Sequence, residues 1–445
     1  MIFFPYRYQK EAVEFIMQKR KSMIMMEVNS GKTAIVLNAL CKLKYDYFEE
    51  CRAIVITSKY AAQNIWPEEI NKWEQFKSLS YSVVVGTPKE KMRAIHKKVD
   101  FYITNYDAVC WLIENNQWKF DFIILDEINE YKNPDGKRYK EMYSLCRKAK
   151  RVVGLTGEPL PNELADLWAE ISLLDEGKRL EKTKKEFVEK YFFRIQTTHG
   201  KGYYLEPKRG AKKAIYDAIA DICYVRTKKN PKKERKIIKN VVYARLNSIE
   251  YTKYCWMQDE MGIQIQRDGS IEVKNKMELS TKLFQMANGA VYDNDKKTIY
   301  IHDRKIDALK EILRRFQGKN VMIAYWFTHD KERILAKIPE AHTIETLQDI
   351  QDWNQKKIRI GLIHPAESST GIGLYKGGNV LIWFSLTWSL HLYQRLIWRM
   401  IGESSEKLYV EHIVTKKTID EKIYEALQKK DMNQQELMNV LLEGR

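Results

Sequence analysis

Residues 25–37 read MMEVNSGKTAIVL, and the middle of that stretch, Ser30-Gly31-Lys32-Thr33, decides how the rest of the chain is read. It follows a short apolar run, KSMIMMEV (21–28), and opens a helix-like run, TAIVLNALCKL (33–43). Gly-Lys-Thr between a strand and a helix is the ending of a phosphate-binding loop. There the loop amides and the helix N-terminus cradle phosphates, Lys32 reaches the outer phosphate oxygens and Thr33 ligates magnesium. Such a loop usually opens with a glycine, and Met26 stands at that position. Gly31 matters more, because the backbone beside the lysine must approach the phosphates closely, and Asn29 tolerates the left-handed backbone of the turn. Asn29, Ser30, Gly31, Lys32 and Thr33 form the candidate nucleotide loop.

A second motif supports the first. FIILDEINEYKNP (122–134) is a buried-strand pattern ending in Asp126-Glu127, and in a parallel sheet both acids lie at the carboxyl edge, beside such a loop. Asp126 is expected to hold the magnesium, and Glu127 to orient and deprotonate an attacking water. A strand-terminal Asp-Glu also caps ordinary turns; the loop upstream favours the catalytic reading.

Similar apolar, β-branched runs recur at 52–58, 82–86, 100–105, 120–127 and 151–157, separated by charged amphipathic stretches. This alternation predicts an α/β fold with a parallel sheet and crossover helices. A second set, at 320–327, 341–345, 358–364, 379–385 and 407–414, predicts a second α/β lobe. The intervening 175–297 is charged and mostly helical in pattern. It holds RTKKNPKKERKIIK (226–239), eight basic residues against one acid, which reads equally as a solvated loop or as a phosphate-backbone contact. The expected domains are 1–174, 175–297, 298–430 and a helical tail, 431–445.

Lysine plus arginine number 76 against 59 acids, a net charge of +17 over 445 residues, which favours a polyanionic partner such as nucleic acid. The six cysteines form no C-x-x-C pair, so neither a zinc site nor a disulfide framework is indicated, and a reducing cytoplasm fits. No run reaches the roughly 20 apolar residues of a membrane helix, and the start lacks a leader pattern.

Taken in order, the motifs resemble the superfamily 2 helicase-like ATPases, and among them the Swi/Snf-type branch, particularly its compact phage-encoded members. PYRYQKEAVEF (5–15) resembles the adenine-recognising opening, with Gln9 as the base reader. SGKT is similar to motif I, AIVITSKYAAQNIWPEEINKW (53–73) to motif Ia and YITNYDAV (102–109) to motif Ib. VVGLTGEPLPNELADLWAEISLLDEG (152–177) resembles motif III, where Thr156 and Gly157 couple hydrolysis to movement. HPAESSTGIGLYKGGNVLIWFSL (364–386) is similar to motif V, with Gly371 and Gly373. The likeness runs from about Phe4 to Lys430.

The resemblance implies two RecA-like lobes with a largely helical segment between them, ATP and Mg2+ as ligands, and phosphate contacts from Lys59, Thr104, Asn105 and Thr370. It implies an ATP-driven double-stranded DNA translocase. A strand-separating helicase on forked, branched or RNA-containing substrates, and a weakly hydrolysing DNA-binding clamp, remain alternatives. Two departures stand out. Motif II reads Asp-Glu-Ile-Asn where relatives carry Asp-Glu-Ala-His, which puts Asn129 in place of the coupling histidine. Motif VI is QRLIWRMIGES (394–404); aligned with Arg395 at the usual glutamine, it keeps Arg399 as the single arginine finger and places Gly402 at the second arginine position.

Overall fold

A computed structural model describes residues 1–26, 30–49, 52–157, 164–196, 203–226, 237–260, 262–265, 269–272, 276–366, 373–401 and 407–443. Asn29, Thr370, Gly371, Gly402 and most of the basic run (227–236) lie outside the described residues. The chain divides into two compact units, residues 1–228 with 430–445, and residues 229–429.

Unit 1 is built on strands β1 (Lys21–Met26), β2 (Ala53–Thr57), β3 (Tyr81–Val84), β4 (Phe101–Asn105), β5 (Phe122–Asp126) and β6 (Arg151–Thr156). A hairpin follows, β7 (Phe192–Gln196) and β8 (Tyr203–Pro207), and then β9 (Cys223–Arg226). All but the hairpin join one sheet in the order β3-β4-β2-β5-β6-β1-β9, and every pairing in it is parallel. The strands read as continuous apolar runs because both faces are covered. Successive side chains alternate between two cores: Met23, Met25, Ile54, Ile56, Ile123 and Leu125 enter one, and Ile24, Val55, Ile124 and Val153 the other. Leu437, from the C-terminal helix Ile419–Glu443, also belongs to the unit 1 core, and Glu436 beside it pairs with Lys212 at 2.5 Å.

Unit 2 begins with β10 (Ile237–Ala244), followed by two antiparallel pairs, β11 (Gly262–Ile265) with β12 (Gly269–Glu272) and β13 (Ala290–Tyr292) with β14 (Thr298–Tyr300). Strands β15 (Val321–Ala324), β16 (Ala341–Thr343), β17 (Ile360–Ile363), β18 (Val380–Trp383) and β19 (Leu408–Thr415) complete it. Its sheet runs β10-β19-β18-β15-β17-β16, again wholly parallel. The same period-2 logic holds: Met322, Ala324, Leu381 and Trp383 line one core, and Val321, Ile323, Val380 and Ile382 the other.

The eleven apolar runs singled out in the sequence are all strands. Strands β9 and β10, which extend the two sheets, were not singled out. β10 is an edge strand with an exposed, lysine- and asparagine-bearing middle, so its apolar signal is diluted. The stretch 175–297 also holds helices Lys184–Tyr191, Ala211–Ile219, Ser248–Glu260 and Lys276–Asn288.

Candidate nucleotide site

The register of unit 1 brings the two sequence motifs to one edge. Asp126 on β5 faces Leu155 on β6, and Thr156 on β6 faces Met25 on β1. The carboxyl ends of β5, β6 and β1 therefore form a row, with Asp126-Glu127, Thr156-Gly157 and the phosphate loop in sequence along it.

Helix Lys32–Cys41 starts immediately after Gly31, whose backbone is left-handed (φ 79, ψ 33), and carries no side-chain cap. A Cβ at Gly31 would come within 2.5 Å of Gln9 Nε2, which would have to shift, but it is the left-handed backbone that demands glycine. Gln9 is 5% exposed. Its Oε1 accepts from Tyr6 N at 2.9 Å and its Nε2 donates to Ser30 O at 3.3 Å, tying the first helix of the chain to the loop. The Tyr8 hydroxyl donates to the same Ser30 carbonyl at 3.2 Å. Lys32 Nζ donates to Met26 O at 2.8 Å, so the ammonium is folded over the loop it follows.

Asp126 is clamped. Its Oδ2 accepts from the Thr57 hydroxyl at 2.9 Å and from the Trp66 indole N–H at 3.0 Å, and its main-chain carbonyl accepts from the Tyr106 hydroxyl at 2.8 Å. Burial raises its carboxyl above the ordinary range and the neighbouring Glu127 charge adds to the rise, while the bonds from Trp66 and Thr57 and the charge of Lys32 oppose it. Glu127 has left-handed backbone (φ 55, ψ 64), a strained state for a residue with a side chain and one that collects at functional sites. Its Oε2 is buried with no hydrogen-bond partner among the described residues. Asn129, 5% exposed, accepts from the Thr156 hydroxyl at 3.4 Å, so the residue at the variant motif II position bonds to the motif III threonine.

Sequence reading missed the supports of this row, because Trp66 and Asp126 lie 60 residues apart and no local pattern announces the bond. It also missed Glu170, which is wholly buried with neither oxygen hydrogen-bonded among the described residues. Burial drives that carboxyl well above its ordinary value; Asp166 and Glu127 push it the same way and Lys132 opposes.

Of the expected nucleic-acid contacts, Lys59 is exposed just beyond β2 and Asn105 is half-buried at the start of helix Tyr106–Glu114. Thr104 is fully buried and its hydroxyl donates to Val84 O at 2.8 Å; it fastens β4 to β3 and offers no surface for a phosphate. In unit 2, Arg399 lies in helix Leu390–Met400 and is 4% exposed. Its carbonyl accepts from Leu374 N at 2.7 Å, and the Gly373 carbonyl accepts from Asn354 Nδ2 at 2.9 Å.

Backbone N–H groups at a helix start, an ammonium, the adjacent Thr33 hydroxyl and a clamped carboxylate are the donor set that suits the phosphates of a magnesium-bound nucleotide. The left-handed glycine and the orphaned Glu127 oxygen fit the same ligand. With the parallel sheets, they define a phosphate-loop nucleotide-binding α/β protein.

Comparison with known proteins narrows this class. The SNF2-related domain family matches residues 8–292. A protein designated p41, from Acyrthosiphon pisum secondary endosymbiont phage 1, is 30% identical over 456 aligned residues, covering 99% of this chain and 99% of that protein. The ISWI chromatin-remodeling complex ATPase ISW1 of Saccharomyces cerevisiae is 26% identical over 179 residues, which cover 38% of this chain and 15% of that much longer protein. Among solved structures, the Sulfolobus solfataricus SWI2/SNF2 ATPase core in complex with dsDNA aligns with a TM-score of 0.45 and 18% identity, covering 99% of this chain and 95% of that one. The chain belongs to the SNF2-related family, whose members are helicase-like ATPases.

Proposed function

We propose that the protein is a DNA-dependent ATPase that couples hydrolysis to movement along double-stranded DNA. The observation that supports this reading best is the row at the carboxyl edge of the unit 1 sheet, where Asp126-Glu127 at the end of β5, Thr156 at the end of β6 and the loop before Lys32 after β1 follow one another. Membership of the SNF2-related family and the net charge of +17 favour DNA as the activator, and the yeast relative is itself described as a chromatin-remodeling ATPase.

In this reading the loop 29–33 holds the phosphates and Gln9 braces the loop as well as facing the base. Thr33 and Asp126 hold magnesium, which supplies positive charge against the phosphates. Lys32 neutralises charge that develops on the transferring phosphate. Glu127, held by its strained backbone with one oxygen unbonded, orients the attacking water and takes its proton. The Thr156–Asn129 bond passes the state of the site to β6 and Gly157, with Gly371 and Gly373 as the corresponding elements of unit 2 and Arg399 as the finger. Lys59, Asn105 and Thr370 grip phosphates without reading bases, which makes binding nearly sequence-blind and steeply salt-dependent.

The test is ATP turnover measured in parallel with no polymer, single-stranded DNA, double-stranded DNA and RNA, together with displacement of a third strand from a triplex. Several-fold stimulation by duplex and triplex displacement without duplex separation are expected. Equal rates under all conditions would overturn the reading.

A further inference from the structure

Hairpin β7–β8 stands apart from both parallel sheets as a two-stranded ribbon. Its base is anchored: Phe192 is 4% exposed and packs against Phe187 with ring centroids 5.5 Å apart, and Lys208 N donates to Tyr191 O at 2.9 Å. Beyond the base the ribbon exposes two large rings, Phe193 at 54% and Tyr203 at 56%. The register places them on opposite faces, since Phe193 is opposite Glu206 while Tyr203 is opposite Gln196.

Each ring carries its own cation. The Lys208 ammonium lies 5.5 Å from the Phe193 centroid and the Arg194 guanidinium 5.3 Å from that of Tyr203. Neither cation is paired with a carboxylate among the described residues; Lys208 Nζ donates only to the Glu189 carbonyl. The surrounding sequence, 178–213, holds twelve lysines and arginines against four acids, of which Glu206 lies on the hairpin itself.

We infer that this hairpin binds unpaired bases of DNA, one ring on each face of the ribbon, with Arg194 and Lys208 meeting the adjoining phosphates. The charge excess calls for a polyanion, and exposed rings beside cations are the elements of a single-strand platform, in which bases stack and phosphates are neutralised. An acidic protein would satisfy the cations but leave two ring faces unused. A continuous duplex cannot offer a base face, because its bases are already stacked on each other. The hairpin is therefore a contact for single strands and for the single-stranded arm of a fork or branch, separate from the phosphate grips proposed above.

The experiment is fluorescence anisotropy of the full chain, without nucleotide and at fixed salt, on a labelled single strand, a forked duplex and a blunt duplex. Phe193→Ala with Tyr203→Ala should weaken single-strand and fork binding about tenfold or more, leave blunt-duplex binding within about twofold, and be rescued by Phe193→Trp with Tyr203→Trp. Equal weakening on all three DNAs without rescue would overturn the assignment. So would unchanged affinity for every DNA, which would point to a protein partner. Wild-type binding to the blunt duplex bears separately on the translocase reading.

Discussion

Trp66 donates its indole N–H to Oδ2 of Asp126 at 3.0 Å, on the same oxygen that takes the Thr57 hydroxyl at 2.9 Å. The two bonds fix one carboxylate oxygen, and in the proposed site the other would meet the magnesium. Trp66→Phe keeps most of the buried ring and removes one bond, a loss of about 1–2 kcal/mol. The magnesium concentration for half-maximal turnover should rise several-fold, while nucleotide binding in the absence of metal stays the same. A magnesium titration of turnover decides, and an unchanged midpoint would refute the clamp.

Lys32→Ala should abolish ATP turnover, because in the proposed site the loop lysine neutralises the charge that develops on the transferring phosphate. Glu127→Gln should still bind ATP while losing about 100- to 10,000-fold in rate, since positioning survives and the base is lost. Stopped-flow binding beside steady-state turnover separates the two effects. Substantial turnover by Glu127→Gln would show that the base is elsewhere.

In the proposed alignment Arg399 is the one family-like arginine of its motif, and it is 4% exposed. Arg399→Ala should lower turnover by about a thousandfold with little change in ATP affinity, and Arg395→Ala should matter less. Arg399→Lys keeps the charge and most of the packing, so it distinguishes a lost finger from a damaged helix. If Arg395→Ala proves the more severe substitution, the alignment of the motif is wrong by one turn.

Glu170 gives a prediction with a defined sign. Its carboxyl is raised in the folded chain by burial, with Asp166 and Glu127 adding to the rise and Lys132 opposing. The folded state therefore holds the proton longer than the unfolded state, and stability falls as pH rises above the unfolded value. Glu170→Gln removes that dependence and should be more stable than the wild type at pH 8, by about 1–3 kcal/mol, with the advantage shrinking toward pH 5. Urea melts at the two pH values provide the check; an advantage independent of pH would mean that Glu170 is not the titrating group.

His412 acts in the opposite direction. It is fully buried in β19, its ring bonded to Asn240 O and to the Tyr393 hydroxyl, both at 2.9 Å, and burial lowers it from 6.5 to about 4. The unfolded chain takes up the proton first, so stability is lost as pH falls from about 6.5 to 4, by roughly 3 kcal/mol at the lower end. His302, also lowered to about 4 mainly by burial, adds to the same slope. His412→Gln should flatten part of that slope in denaturant melts of the full chain, and an unaltered slope would assign it elsewhere.

The sequence by itself determined all the strands of both sheets except β9 and β10, and the two motifs at the ends of β1 and β5. A strand buried on both faces must be apolar along its whole length, and a helix that receives phosphates must open with glycine and a cation. Both demands are local and leave a mark on consecutive residues. Only the tertiary structure decided which residues support the site: the Trp66 and Thr57 bonds to Asp126, the Asn129 bond to Thr156, the left-handed backbone of Glu127 and the buried Glu170. It also decided that Thr104, an apparent phosphate contact by sequence, turns its hydroxyl to Val84. These facts depend on which strands are neighbours and in what register. That choice is made by the packing of whole layers against one another, between residues tens of positions apart, and no short window of sequence records it.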